Sequence, residues 1–263
     1  MPRFAANLSM LFTELPFLDR FGRAADAGFE AVEFLFPYAW PAASIRQRLD
    51  EHRLRLVLHN LPAGDWDGGE RGIACLPERV EEFRAGVATA LDYARQLGVG
   101  QLNCLAGKAP AGADPALLRA TLVANLRYAA GELARAGLKL LVEPINTFDI
   151  PDFFVHRSDQ ALGILDEVGA PNIYLQYDIY HAQRMEGELA ANLQRHLARI
   201  AHVQIADNPG RNEPGSGEIH FPFLFEHLDR IGYTGWIGCE YRPAAGTEAG
   251  LGWMRSLAGT HRN

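Results

Sequence analysis

A short apolar segment followed by a stretch of helical spacing recurs eight times along the 263-residue chain, and that count restricts the fold more than any other feature. Strand patterns fall at 4–10, 31–34, 54–59, 101–105, 138–143, 173–178, 200–206 and 236–240. Helical patterns fill the intervals at 15–27, 45–53, 78–97, 158–168 from a Ser158 cap, 188–197, 221–231 and 247–257, with one more opened by Asp114 and Pro115. The clearest helix is 78–97, where Val80, Phe83, Val87, Leu91 and Ala94 recur at steps of three and four before Gly98 stops the run. Leu118, Leu122, Leu126, Ala129 and Leu133 form the same kind of stripe before Gly137. Eight units of about 33 residues each predict an α/β fold, a single (β/α)8 TIM barrel spanning residues 1–263. A doubly wound open sheet shares the alternation but has fewer strands, and no Gly-x-Gly-x-x-Gly follows the first strand.

Composition limits the function. Hydrophobic residues at 48% and charged residues at 22% suit an ordinary globular chain with a large core, and no linker or low-complexity tract divides it. The net charge of -7 gives no excess of cations for a phosphate backbone, so nucleic acid is not an expected partner. Cys75, Cys104 and Cys239 are odd in number and widely spaced, which fits neither a disulfide framework nor a zinc knuckle. The N-terminus lacks the apolar core of a signal peptide, and no apolar run is of membrane-spanning length. A reducing cytoplasm and a small-molecule substrate are expected.

The residues 140–146, Leu-Leu-Val-Glu-Pro-Ile-Asn, end a strand on a carboxylate, because Pro144 cannot continue a ladder. Asp178, Gln204 and Glu240 close later strands in the same way, at separations of 35, 26 and 36 residues (178−143, 204−178 and 240−204). Each step is about one βα unit, so strands five to eight would each offer one oxygen at the C-terminal rim where barrels keep their chemistry. A strand-end acid is commonly no more than a loop residue or helix cap. Four on consecutive strands differ, since gathered carboxylates repel strongly without a cation. Three carboxylates and an amide oxygen make a hard set suited to Mg²⁺ or Mn²⁺ rather than zinc.

The Val-Glu-Pro-Ile-Asn stretch at 142–146, Gln-Tyr-Asp-Ile-Tyr-His at 176–181, Gln-Ile-Ala-Asp-Asn-Pro-Gly-Arg at 204–211, Glu-Pro-Gly-Ser-Gly-Glu-Ile at 213–219 and Gly-Cys-Glu-Tyr at 238–241 resemble the hydroxypyruvate isomerase family of the xylose-isomerase-like barrels. The resemblance spans nearly the whole chain, His59-Asn60 and the tryptophan loop at 62–72 included. It implies a metal held by Glu143, Asp178, Gln204 and Glu240, with Glu143 and Glu240 also the catalytic acid and base. Ketose 3-epimerases have histidine where Gln204 stands, so the isomerase branch is favoured. The implied reaction interconverts hydroxypyruvate and tartronate semialdehyde through an enediolate, Glu143 taking the first proton and Glu240 returning one. His181, Arg211, His59 and Lys108 are candidate contacts for substrate oxygens or carboxylate, Trp66 a candidate lid, and Cys239 a packing residue. The alternatives are a 2-oxo-tetronate isomerase, a ketose 3-epimerase and a non-catalytic sugar-binding barrel. A related DNA-repair endonuclease would need a histidine-rich zinc cluster and a basic face, and the sequence carries neither. The superfamily resemblance points to a homodimer or homotetramer.

Overall fold

Strands β1 (Arg3–Asn7), β2 (Ala31–Glu33), β3 (Arg55–Asn60), β4 (Gln101–Cys104), β5 (Lys139–Val142), β6 (Ile173–Asp178), β7 (Ile200–Ile205) and β8 (Trp236–Cys239) pair in parallel in sequence order, and β8 closes on β1. The structure, a computed structural model, describes residues 2–254. Helices α1 (Arg20–Asp26), α2 (Ala42–Glu51), α3 (Val80–Leu97), α4 (Pro115–Arg135), α5 (Ser158–Val168), α6 (Ile179–Met185), α7 (Leu189–His196) and α8 (Phe221–Arg230) surround the closed sheet. The expected TIM barrel is therefore the fold. Among the described residues no helix is long and apolar enough to cross a membrane.

Side-chain alternation divides the interior in two. Ala5, Ala31, Val57, Leu58 and Leu141 make a small cluster separate from the large layer between barrel and helices. Cys239 belongs to that large layer and is fully buried, as its alternation with Glu240 requires. The stripe on α3 buries Phe83, Val87, Leu91 and Ala94, and Gly98 ends the helix at φ 72°, a left-handed conformation that favours glycine. Asp114 caps α4 by accepting from the Ala116 amide at 2.9 Å.

Local expectations fail where tertiary bonds compete. The first strand stops at Asn7 rather than running to residue 10, because the Met10 and Leu11 amides turn back to the Asn7 carbonyl. Ser158 is the first residue of α5 and not its cap, and its amide donates to Glu186 at 2.7 Å. Helix α6 has no counterpart in the sequence reading. It follows β6 without a loop and is too short to show a periodic stripe. Of the helix expected at 247–257, the structure forms a 3₁₀ turn at Ala249–Leu251 that runs into α-helix at 252–254, and residues 255–257 lie outside the described part.

Gly238 sits where β8 faces the barrel interior, and a Cβ there would collide with the carboxylate of Glu33. That carboxylate is itself fixed by Asn7, His202 and Gln204. A Gly238→Ala substitution therefore overpacks a site that cannot relax, and it should lower stability by about 1–3 kcal/mol in urea unfolding. An unchanged midpoint would show that Glu33 is free to move.

Candidate active site

Glu143 follows β5, and the proline after it ends the strand there. Its Oε2 accepts from Asn103 Nδ2 at 2.9 Å. Asp178 is both the last residue of β6 and the N-cap of α6. Its Oδ1 accepts from the Tyr180 amide at 2.8 Å and the His181 amide at 3.4 Å, so the helix-cap reading holds for one oxygen. The other oxygen, Oδ2, is buried without a hydrogen-bond partner. The short α6 brings His181 back over the same point. Its Nε2 lies 3.6 Å from Asp178 Oδ2 and 3.9 Å from Glu143 Oε1. One atom from each of Glu143, Asp178 and His181 lies within 4.8 Å of the others, a group able to hold a metal ion.

Asn146, three residues beyond Glu143, decides how His181 presents itself. Its Oδ1 accepts from the Phe148 and Asp149 amides at 3.1 and 2.8 Å, which fixes which end of the amide is which. Its Nδ2 then donates to His181 Nδ1 at 2.7 Å, making Nδ1 the acceptor. Burial, with Arg211 and Arg184 adding to it, holds the His181 pKa well below the usual imidazole range. A neutral ring that accepts at Nδ1 carries its proton on Nε2, and this N–H points toward the two carboxylates.

Glu240 completes the floor from the end of β8. Its Oε1 accepts from Arg211 Nη2 at 2.7 Å, and its Oε2 from Gln204 Nε2 at 2.5 Å and Asn7 Nδ2 at 3.3 Å. Gln204 also donates to Glu33 at 2.7 Å and accepts from Gln176 at 2.6 Å. The amide expected to offer its oxygen to a metal thus bonds Glu240 through its nitrogen, while His181, expected only against substrate, lies beside Glu143 and Asp178.

Glu143, His181, Arg211 and Glu240 line one cavity of about 460 Å³ at the C-terminal rim, with Trp66 and Arg71 of the loop after β3 on its wall. The structure does not bring Lys108 or His59 into it. Lys108 is exposed, bridges to Phe153 and lines a different cavity on the outer side of the tryptophan loop. His59 is fully buried, its Nδ1 lies 3.1 Å from the Asn60 carbonyl, and burial lowers its pKa to about 4. Glu33, Asn103, Asn146 and Asp149 were not anticipated. Glu33 alone gave a signal, an acid at the end of the second apolar strand, the same pattern that singled out Glu143.

A family model described as xylose isomerase-like TIM barrel matches residues 21–257. The chain belongs to that family. It is 55% identical to the hydroxypyruvate isomerase of Escherichia coli (strain K12), with 97% of this chain and 98% of that protein covered. It is 52% identical to a 2-oxo-tetronate isomerase of Cupriavidus necator, covering 98% and 100%. Among solved structures, one described as an AP endonuclease, family 2, from Brucella melitensis superposes with a TM-score of 0.95 at 46% identity, over 97% of this chain and 99% of that one. The protein is an isomerase of this family.

The electrostatics follow from burial. Burial first, then Glu240 and Asp178, push the Glu143 pKa well above the carboxylate range, with Arg211 and Asn103 opposing. Burial raises Asp178 as well, against Arg211 and two backbone amides. Glu240 is pushed up to about 8 by burial, which outweighs Arg211. A carboxyl whose folded pKa is raised contributes fully below its unfolded pKa and loses that contribution as pH climbs through the folded value. The metal-free protein should therefore lose stability between about pH 4.5 and pH 8, by a few kcal/mol at about 1.4 kcal/mol per unit. Thermal unfolding against pH checks this: Glu240→Gln should flatten the slope, and an equal slope in that variant would place its origin elsewhere.

Proposed function

We propose that this isomerase interconverts hydroxypyruvate and tartronate semialdehyde by proton transfer through an enediolate, with Mg²⁺ or Mn²⁺ bound among Glu143, Asp178 and Glu240, and Gln204 supporting Glu240 through its amide nitrogen. The observation that carries the reading is the buried, unpartnered Asp178 Oδ2 beside two further buried carboxylates and an N–H donor from His181. An orphaned carboxylate oxygen in an acidic pocket fits a hard cation, so the residues suit the group. His181 carries hydrogen on Nε2 and is the less suitable ligand in that tautomer. A bound divalent ion would supply Lewis-acid polarisation of the substrate's carbonyl and adjacent hydroxyl, lowering the cost of the enediolate.

The protein's own groups divide the proton work. Glu143 Oε1 has no donor closer than His181 at 3.9 Å, whereas both oxygens of Glu240 accept hydrogen bonds. Glu143 is therefore the better base for the C3 proton of hydroxypyruvate, and Glu240 delivers one to C2 from the other side. His181 Nε2–H donates to the substrate oxygen on which negative charge develops, and it can do so because Asn146 holds the other nitrogen as acceptor. C3 loses its proton to Glu143, C2 gains one from Glu240, and the hydroxyl proton passes from the C3 oxygen to the C2 oxygen; Glu143 then releases its proton to solvent and Glu240 takes one up, so the atoms balance and both acids are restored.

A second substrate, 2-oxo-tetronate, is supported by the cavity's room for a longer acid and by the Cupriavidus necator relative. The endonuclease name of the Brucella melitensis structure finds less support. Glu143, Asp178 and His181 are the one metal-competent group among the described residues, with a single histidine, and the chain's net charge is -7.

Turnover with added Mn²⁺ in D₂O tests the proposal, and the ratio of kcat/KM for the two acids assigns the substrate. The product from protiated hydroxypyruvate should carry solvent deuterium on carbon, and Glu143→Gln should lower kcat about 10²- to 10⁴-fold. Product free of carbon-bound deuterium would mean a hydride shift, and no turnover of either acid would overturn the reading.

A further inference from the structure

A 2-oxo acid brings its own carboxylate into a cavity lined by Glu143 and Glu240, with Asp178 buried beside them, so its recognition requires a cation that no protein acid has neutralised. Arg211 does not meet that requirement. Its Nη2 sits 2.7 Å from Glu240 Oε1 and 3.9 Å from Asp178 Oδ2. Arg242 also lines the cavity, but it is exposed and no side-chain contact fixes it.

Arg71 differs from both. It lines the same cavity and pairs with no acid among the described residues. Its Nη1 donates to the carbonyls of Trp66 at 2.8 Å and Glu70 at 2.6 Å, while Nε and Nη2 make no hydrogen bond there. The acid next to it in sequence, Glu70, is occupied by Arg79 at 2.6 Å and by the Asp65 amide at 2.5 Å. The guanidinium carbon lies 4.1 Å from the centroid of the Trp66 ring, and that ring packs on Phe36 at 4.9 Å. The chain then turns at Gly72, φ 110°, where a Cβ would strike the backbone of Leu105. A planar fork fixed by a ring and two carbonyls, with one edge unspent, is preorganised for a carboxylate, which saves the ordering cost a free arginine would incur.

We propose that Arg71 receives the substrate's carboxylate through Nε and Nη2, and that this contact selects 2-oxo acids over uncharged ketoses of the same length. The inference rests on the 2-oxo-acid reading above. It gives the tryptophan loop a binding role, with Trp66 as the platform that orients the arginine.

The test compares the metal-loaded enzyme with its Arg71→Gln and Arg71→Lys variants on hydroxypyruvate, 2-oxo-tetronate and dihydroxyacetone, which carries a hydroxymethyl group where hydroxypyruvate has its carboxylate. On the preferred acid, Arg71→Gln should raise KM about 10- to 100-fold, as expected for a lost charge-assisted bond, with kcat changed less than about threefold. Arg71→Lys should recover part of the loss, and any turnover of dihydroxyacetone should be untouched. Thermal unfolding and Mn²⁺ affinity of the variants should match the parent. If the parent turns over an acid and Arg71→Gln leaves its KM within twofold, or lowers kcat and the melting temperature together, Arg71 is not the carboxylate site and the proposed function stands. If the parent turns over neither acid, that function and this inference fail together, before any variant is made.

Discussion

Three carboxylates buried at one end of a barrel are the constraint around which the rest of this structure is arranged. Glu143, Asp178 and Glu240 are each at most 5% exposed, and one guanidinium, that of Arg211, lies among them. In a medium of low polarisability such a group is stable only with protons, with donors at every oxygen, or with a cation. The protein uses donors at most of the oxygens: Asn103 for Glu143, two helix amides for Asp178, and Gln204, Asn7 and Arg211 for Glu240. Asp178 Oδ2 and Glu143 Oε1 are the exceptions. Oxygens left open at these positions suit the proposed metal, because an oxygen already satisfied by protein donors would bind an ion weakly.

Glu33 shows how far the support extends. It lies at the end of β2, three strands away from Glu143 after β5, and binds His202 at 2.6 Å and Gln204 at 2.7 Å. Gln204 in turn binds Glu240, so an acid outside the cavity orients the amide that orients one of the acids lining it. Gly238 clears the volume in which Glu33 sits. Preorganisation here is carried by residues from β1, β2, β7 and β8 acting through one another. Asn146 does the same for the opposite wall, where it sets the tautomer of the one imidazole facing the carboxylates.

The barrel was legible in the sequence because both of its periodicities are local. A strand pattern ending at Pro144 or a stripe such as Phe83, Val87 and Leu91 needs no information about the remainder of the chain. The unit spacing of Glu143, Asp178 and Glu240 was legible for the same reason, since steps of one or two whole βα units along a closed barrel bring strand ends to the same rim. Orientation was not. Whether Gln204 turns its oxygen or its nitrogen to the site depends on Glu33 and Gln176. Whether Lys108 faces the cavity or the outer side of a loop depends on its pairing with Phe153, far away in sequence. Helix α6 was missed although its cap, Asp178, had been identified, because a carboxylate can cap a helix with one oxygen and face the site with the other. Arg71 resembles any loop arginine until Trp66, Glu70 and Arg79 are placed around it.

Proton release on metal binding tests the central claim most directly. At neutral pH the Glu240 pKa, pushed up to about 8 by burial, means that the folded, metal-free site holds a proton that an ion must displace. Calorimetric titration of the protein with Mn²⁺ at pH 7, in buffers of differing ionisation enthalpy, counts the protons released. The account predicts one ion per chain with about one proton or more released. Binding with no proton release, or no saturable binding, would contradict it.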